Sequence, residues 1–158
     1  MFNGNGYTKA WVEEAERRGL PNIRSTVETA ATLTTDKAVA LFEKFGIFTR
    51  AELQSREEIM YETYTKTVNI EARTMIDMAT KQIIPAVISY TTELAQSLNA
   101  VREACPEADV SVQKEILVEV SALLARTKVA LTALKVTQSQ GAAMEDGKDK
   151  AFYYRRTI

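Results

Sequence analysis

Apolar positions in this chain recur at helical spacing almost from end to end. Between Tyr64 and Val101 they fall at Val68, Ala72, Met75, Ala79, Ile83, Ala86, Tyr90 and Leu94. The steps are mostly four, four and three, an eleven-residue repeat that suits a straight or slightly right-handed superhelix. Thr49-Arg50-Ala51-Glu52 has capping-box spacing, so the spacing predicts one long helix from about Arg50 to Glu103. Pro85 lies inside it. The stripe reads as keeping its phase across that residue, which predicts a kinked continuous helix with Ile83 and Leu94 on its buried face.

Cys105-Pro106-Glu107-Ala108-Asp109 interrupts the pattern, and Asp109 is placed to cap a second long helix. That helix carries Val112, Ile116, Val120, Leu123, Leu124, Leu131 and Leu134. The two form an antiparallel hairpin. After about Gln138 the chain turns polar and glycine-containing, which predicts a mobile loop from Gly141 to Lys148.

The first 46 residues predict short helices. Thr8 caps a segment through Trp11, Val12 and Ala15, which Gly19 closes. Pro21 stops it, and Ser25 with Glu28 forms a capping box for a second helix to about Ala31. Thr35 or Asp36 caps a third, with Ala38, Leu41, Phe42 and Phe45 on one face and Gly46 beyond. The expected architecture is all-α: short helices at 1–46 packed against a hairpin at 47–140, then a flexible loop and the start of another helix at 141–158.

Composition agrees and narrows the chemistry. With 46% apolar and 26% charged residues, and only 6 Gly and 3 Pro, the chain reads as an ordinary water-soluble helical domain. Its 20 basic and 21 acidic residues leave a formal charge of −1, which argues against nucleic acid and membrane partners. One cysteine, Cys105, cannot form an internal disulfide, and no signal-peptide pattern opens the chain; a cytoplasmic setting fits. The absence of histidine removes the commonest general base and a common metal ligand.

No catalytic, cofactor-binding or metal-ligating residue is expected. Asn3-Gly4-Asn5-Gly6 lacks the lysine and preceding strand of a phosphate loop and reads as a turn. Glu58 and Glu62, one helical turn apart, and Glu71 with Asp77 read as a solvated face. Arg73, Asp77 and Lys81 follow at i, i+4 as an ion-pair ladder. Met60, Met75 and Met78 read as core, Met75 because it lies on the stripe. Cys105 has no group to activate it.

Two stretches carry a family likeness: FNGNGYTKAWVEEAERRGLPN, and FEKFGIFTRAELQSREEIMYETYTKTVNIEARTMIDMATKQIIPAVISY. Together they resemble the helical region that follows the catalytic domain in type III glutamine synthetases, over roughly residues 1–102, and more loosely beyond. The resemblance implies a fragment cut at both ends from an enzyme that joins ammonia to glutamate. That enzyme uses ATP and a divalent metal (Mg or Mn), at sites between subunits of hexameric rings. None of its catalytic residues has a counterpart here, so the fragment itself is expected to be inactive and structural.

The implied partners are the parent's catalytic domain and other subunits. Self-association is also expected, through a segment that the shorter second helix leaves uncovered: Leu53, Ile59, Met60, Tyr64 and Val68. Composition and periodicity alone allow a free-standing helical adaptor equally well. A surface for a small regulatory protein or metabolite is a third reading, for which the residues show no pocket.

Overall fold

The computed structural model describes residues 4–158, and every regular element among them is helical. Three short helices open the chain: α1 (Lys9–Arg17), α2 (Thr26–Ala30) and α3 (Asp36–Lys44). Next come α4 (Arg50–Met78), a π-helical turn at Ala79–Ile83, and α5 (Ile84–Ala104), which keep the backbone helical for 55 residues. Helices α6 (Ser111–Ala142) and α7 (Lys148–Thr157) complete it. The chain divides into two compact units, one ending at Tyr64 and one from Thr65 to Ile158.

Local sequence accounts for the ends of the first unit's helices. The hydroxyls of Thr8, Ser25 and Thr35 accept the backbone N–H of Trp11, Glu28 and Ala38, each satisfying a donor that the first turn leaves open. Thr35 rather than Asp36 is the cap, and Asp36 instead accepts from Arg50 at 2.9 Å. Gly19 and Gly46 adopt φ of 71° and 63°, which let Leu20 and Ile47 bond back to the carbonyls of Ala15 and Phe42 in Schellman closures. At Thr49 the capping box is complete: Thr49 N–H donates to Glu52 at 2.8 Å and Glu52 N–H to the Thr49 hydroxyl at 3.3 Å. The Thr49 backbone bond is also the main cause that holds the Glu52 carboxyl below its ordinary pKa.

Val27, Ala30, Val39, Leu53 and Tyr61 are buried in this unit. The segment expected to lie open is therefore largely closed. Leu53 is fully buried, Met60, Tyr64 and Val68 are partly buried, and only Ile59 of that set is exposed.

In the second unit α5 and α6 pack as a hairpin across a turn at 105–110, and α7 packs on α6. Asp109 accepts the Ser111 N–H at 2.9 Å, so it serves the first turn of α6 from one residue before the cap position, which Val110 occupies. Helix α6 continues past Gln138 through Gly141 to Ala142, and the loop before α7 is confined to 143–147.

Pro85 has the largest effect on the long helix. It has no N–H to give the Lys81 carbonyl four residues back, and its ring crowds that carbonyl. The turn before it widens to π spacing, with Ile84 N–H bonded to the Ala79 carbonyl. The extra residue shifts the stripe by one position. Before the turn the inward residues are Thr65, Ala72, Ile76 and Ala79; after it they are Ile84, Val87, Leu94, Leu98 and Val101. The expectation that the stripe keeps its phase is thus corrected: Ile83 is 50% exposed and Tyr90 is exposed, while Leu94 remains on the partly buried face. Met75, read as core, is 60% exposed, because the stripe runs through Ile76 instead.

Candidate functional site

Two polar clusters and one apolar surface are the features that could carry function. In the first unit, Glu57 on α4 accepts hydrogen bonds from the Thr34 hydroxyl at 2.6 Å and the Tyr61 phenol at 2.8 Å. Tyr61 is 2% exposed, and burial, then the bond to Glu57, raises its pKa well above the ordinary phenol value. The phenol therefore stays protonated near neutrality and donates to the carboxylate. The cluster ties the segment before α3 to α4.

In the second unit, Asn69 on α4 receives the Gln138 amide of α6 at 2.8 Å and the Tyr154 phenol of α7 at 3.4 Å. The Tyr154 ring lies directly on Gly141. A Cβ added at that glycine would meet the ring's Cε1 and come within 2.8 Å of Cζ, so only glycine allows the ring this close. Tyr153 donates to Gln140 at 2.9 Å, which ties α7 to the end of α6, and Lys150 donates to Asp146 at 2.9 Å and to the Met144 carbonyl at 3.2 Å, which tie α7 to the loop before it. Burial raises the Tyr154 pKa as well. Sequence reasoning did not select Asn69, Gln138, Gly141 or Tyr154. From the sequence Gly141 reads as the start of a loop, because glycine costs about 1 kcal/mol relative to alanine inside a helix and a ring packed on it leaves no mark in the pattern.

The acids weighed as metal ligands do not gather. Glu58, Glu71 and Asp77 are exposed and Glu62 is partly buried, and no group of three potential ligands lies together among the described residues. The expected ladder forms its Asp77–Lys81 rung. Cys105 is exposed at the hairpin turn. Gly4-Asn5-Gly6 turns as expected, with the Asn5 side chain accepting the Tyr7 N–H at 2.9 Å; Asn3 lies outside the described residues. A groove of about 310 Å³ beside the π turn, lined by Arg73, Asp77, Lys81 and Lys135, is basic but open to solvent.

The third feature is apolar. No residue of α5 is buried, and Ile83 just before it and Ile88 and Tyr90 within it are large and exposed. On α6, Val118, Val129 and Val136 are 62%, 72% and 52% exposed, and a groove of about 520 Å³ runs along Val129, Ala133 and Val136. No helix among the described residues is long and apolar enough to cross a membrane. These residues leave an apolar strip of the hairpin facing solvent.

Comparison with known proteins agrees with the likeness noted from the two motifs. Residues 1–102 match the family described as the glutamine synthetase C-terminal domain. The chain is 32% identical to a glutamine synthetase of Butyrivibrio fibrisolvens over 158 residues, covering all of this chain and 23% of that protein. It is 33% identical to one from Bacteroides fragilis (strain YCH46) over 161 residues, covering 99% of this chain and 22% of that protein. It is 31% identical to a type-3 glutamine synthetase of Dictyostelium discoideum over 146 residues, covering 87% and 20%. The chain thus spans between a fifth and a quarter of the length of these relatives.

Proposed function

Because the chain belongs to the glutamine synthetase C-terminal domain family, we propose that it is the helical C-terminal part of a cytoplasmic enzyme that makes glutamine from glutamate, ammonia and ATP. Its own role on this reading is to support assembly, against the catalytic domain and other subunits. The observation that carries this is the surface of the hairpin. A 21-residue helix with no buried residue, beside a partner helix whose valines face solvent, is incomplete as a packed structure.

ATP and a divalent metal would be bound by the catalytic domain. The residues here do not fit either group: the chain has no histidine, Glu58, Glu62, Glu71 and Asp77 do not converge, and the Gly4-Asn5-Gly6 turn, although it leads into α1 at Lys9, lacks the glycine–lysine spacing of a phosphate loop.

The test has two arms. Calorimetric titration of the 158-residue chain with Mg-ATP is expected to give no saturable heat, and saturable binding overturns the division of labour. A glutamine synthetase relative lacking the region aligned with this chain is expected to lose its oligomeric assembly by light scattering. Assembly unchanged by that deletion refutes the proposed role and favours a free-standing adaptor.

A further inference from the structure

Beside the π turn, α4 and α6 border a groove of about 310 Å³, at the small end of the range for ligand sites. Four charged side chains line it: Arg73 and Asp77 on α4, Lys81 in the π turn, and Lys135 on α6. Three cations and one anion leave the groove doubly positive, in a chain whose formal charge is −1.

Pairing within the groove does not cancel that charge. Arg73, Asp77 and Lys81 stand four residues apart, so Asp77 has a cation one turn away on either side. It pairs with Lys81, and that order, acid before base, is the favoured one in a helix. Neither Arg73 nor Lys135 makes an ion pair or hydrogen bond among the described residues. Lys135 is partly buried, on the side of α6 that carries the buried Leu131 and the Gln138 amide bonded to Asn69, so packing holds its stem beside the groove. Thr80 adds a hydroxyl, and it shares the π turn with Lys81. Pro85 thus puts a widened turn, a feature that recurs at binding sites, into the wall of the groove.

This donor set suits a small oxyanion. A guanidinium fork matches two oxygens of a phosphate, and ammonium groups supply point charges beside it. No aromatic ring lines the groove to stack on a base, and Ile76 is the one apolar residue lining it. We infer that the groove binds a phosphate group, free or carried on a small metabolite, with Arg73 and Lys135 as its principal contacts and Lys81 shared with Asp77. The site lies within the second unit, so it stands whether or not the assembly role does.

Isothermal titration of the 158-residue chain with inorganic phosphate at low salt tests it, with circular dichroism confirming that each variant stays helical. The expected result is saturable heat with a Kd of roughly 1–10 mM, weak because the groove is open to water. Arg73→Gln and Lys135→Gln should each weaken binding by about tenfold, through the loss of a charge-assisted hydrogen bond. Asp77→Asn should tighten it severalfold, because it removes the one anion lining the groove and releases Lys81. Lys114→Gln, the same change of charge at an exposed lysine of α6 outside the groove, should leave the affinity unchanged. Glycerol phosphate in the same titration distinguishes the sources: tighter binding than phosphate assigns the site to a phosphorylated metabolite, and equal or weaker binding assigns it to free phosphate. Running the Mg-ATP titration with phosphate at saturation keeps the two tests separate. A wild-type chain that shows no saturation in the millimolar range overturns the inference. So does a Lys135→Gln variant that binds as wild type, a Lys114→Gln variant that weakens equally, or an Asp77→Asn variant that binds no tighter.

Discussion

Replacing Gly141 by alanine should destabilise the protein, although the same change in most helices stabilises. Gly141 lies in the last turn of α6, where alanine is favoured by about 1 kcal/mol on helix propensity alone. Against this stands Tyr154, 1% exposed, whose ring occupies the place of the new methyl, with Cζ at 2.8 Å and Oη at 3.0 Å from it. The ring cannot stay. Forcing a methyl into a packed contact costs about 1–3 kcal/mol, and driving the tyrosine out forfeits about 1.5–3 kcal/mol of burial. Asn69 keeps its bond from Gln138 but loses the one from Tyr154. The net expectation is a loss of about 1–2 kcal/mol, a fall in Tm of roughly 2–8 °C for a chain of this size. Thermal unfolding followed by circular dichroism reads the effect, and Tyr154→Ala supplies the control. In that background Gly141→Ala should become neutral or stabilising, so the sign of the change reverses with the ring. A Gly141→Ala protein that melts higher than wild type, with Tyr154 intact, would refute the reasoning.

The one-residue shift at the π turn predicts that Ile84→Asp costs about 1–3 kcal/mol, because the charge enters the face toward α6, and that Ile83→Asp costs well under half of that. Equal melting temperatures for the two variants, or the reverse order, would return the stripe to its unshifted phase. The raised pKa of the Tyr61 and Tyr154 phenols means that the folded state resists their ionisation. Their contribution to stability is fully present below the ordinary phenol value of 10.0 and is lost as pH rises above it. Tyr61→Phe should therefore lower stability near neutrality by about 1–2 kcal/mol through the lost bond to Glu57 and flatten the fall in stability at alkaline pH. A pH series of urea melts whose alkaline slope is unchanged in that variant would assign the effect elsewhere.

Much of the fold was legible because its causes are local. Thr8, Ser25, Thr35 and Thr49 cap helices within four residues of themselves, Gly19 and Gly46 close them, and the apolar period marks the long helices without reference to anything they touch. Asp109 was found one residue from its inferred place, since a carboxylate can serve the first turn from either side of the cap. The short length of the hairpin turn dictated that α5 and α6 run antiparallel.

What the sequence by itself determined was which stretches are helical and, to within a residue or two, where they begin. What only the tertiary structure decided was which face of each helix is used. Pro85 could be seen in the sequence, but whether its missing N–H would be absorbed by a bend or by one extra residue depended on how α5 met α6. The extra residue moved burial from Ile83 to Ile84. Gly141 ended the helical pattern on propensity, yet the helix passes through it, and the Tyr154 ring packs where a Cβ would lie. The period of α6 shows apolar residues on two sides at once, and periodicity cannot tell which side a neighbour will cover. Packing resolved it: Leu131 is enclosed within the chain, and Val118, Val129 and Val136 are left facing outward.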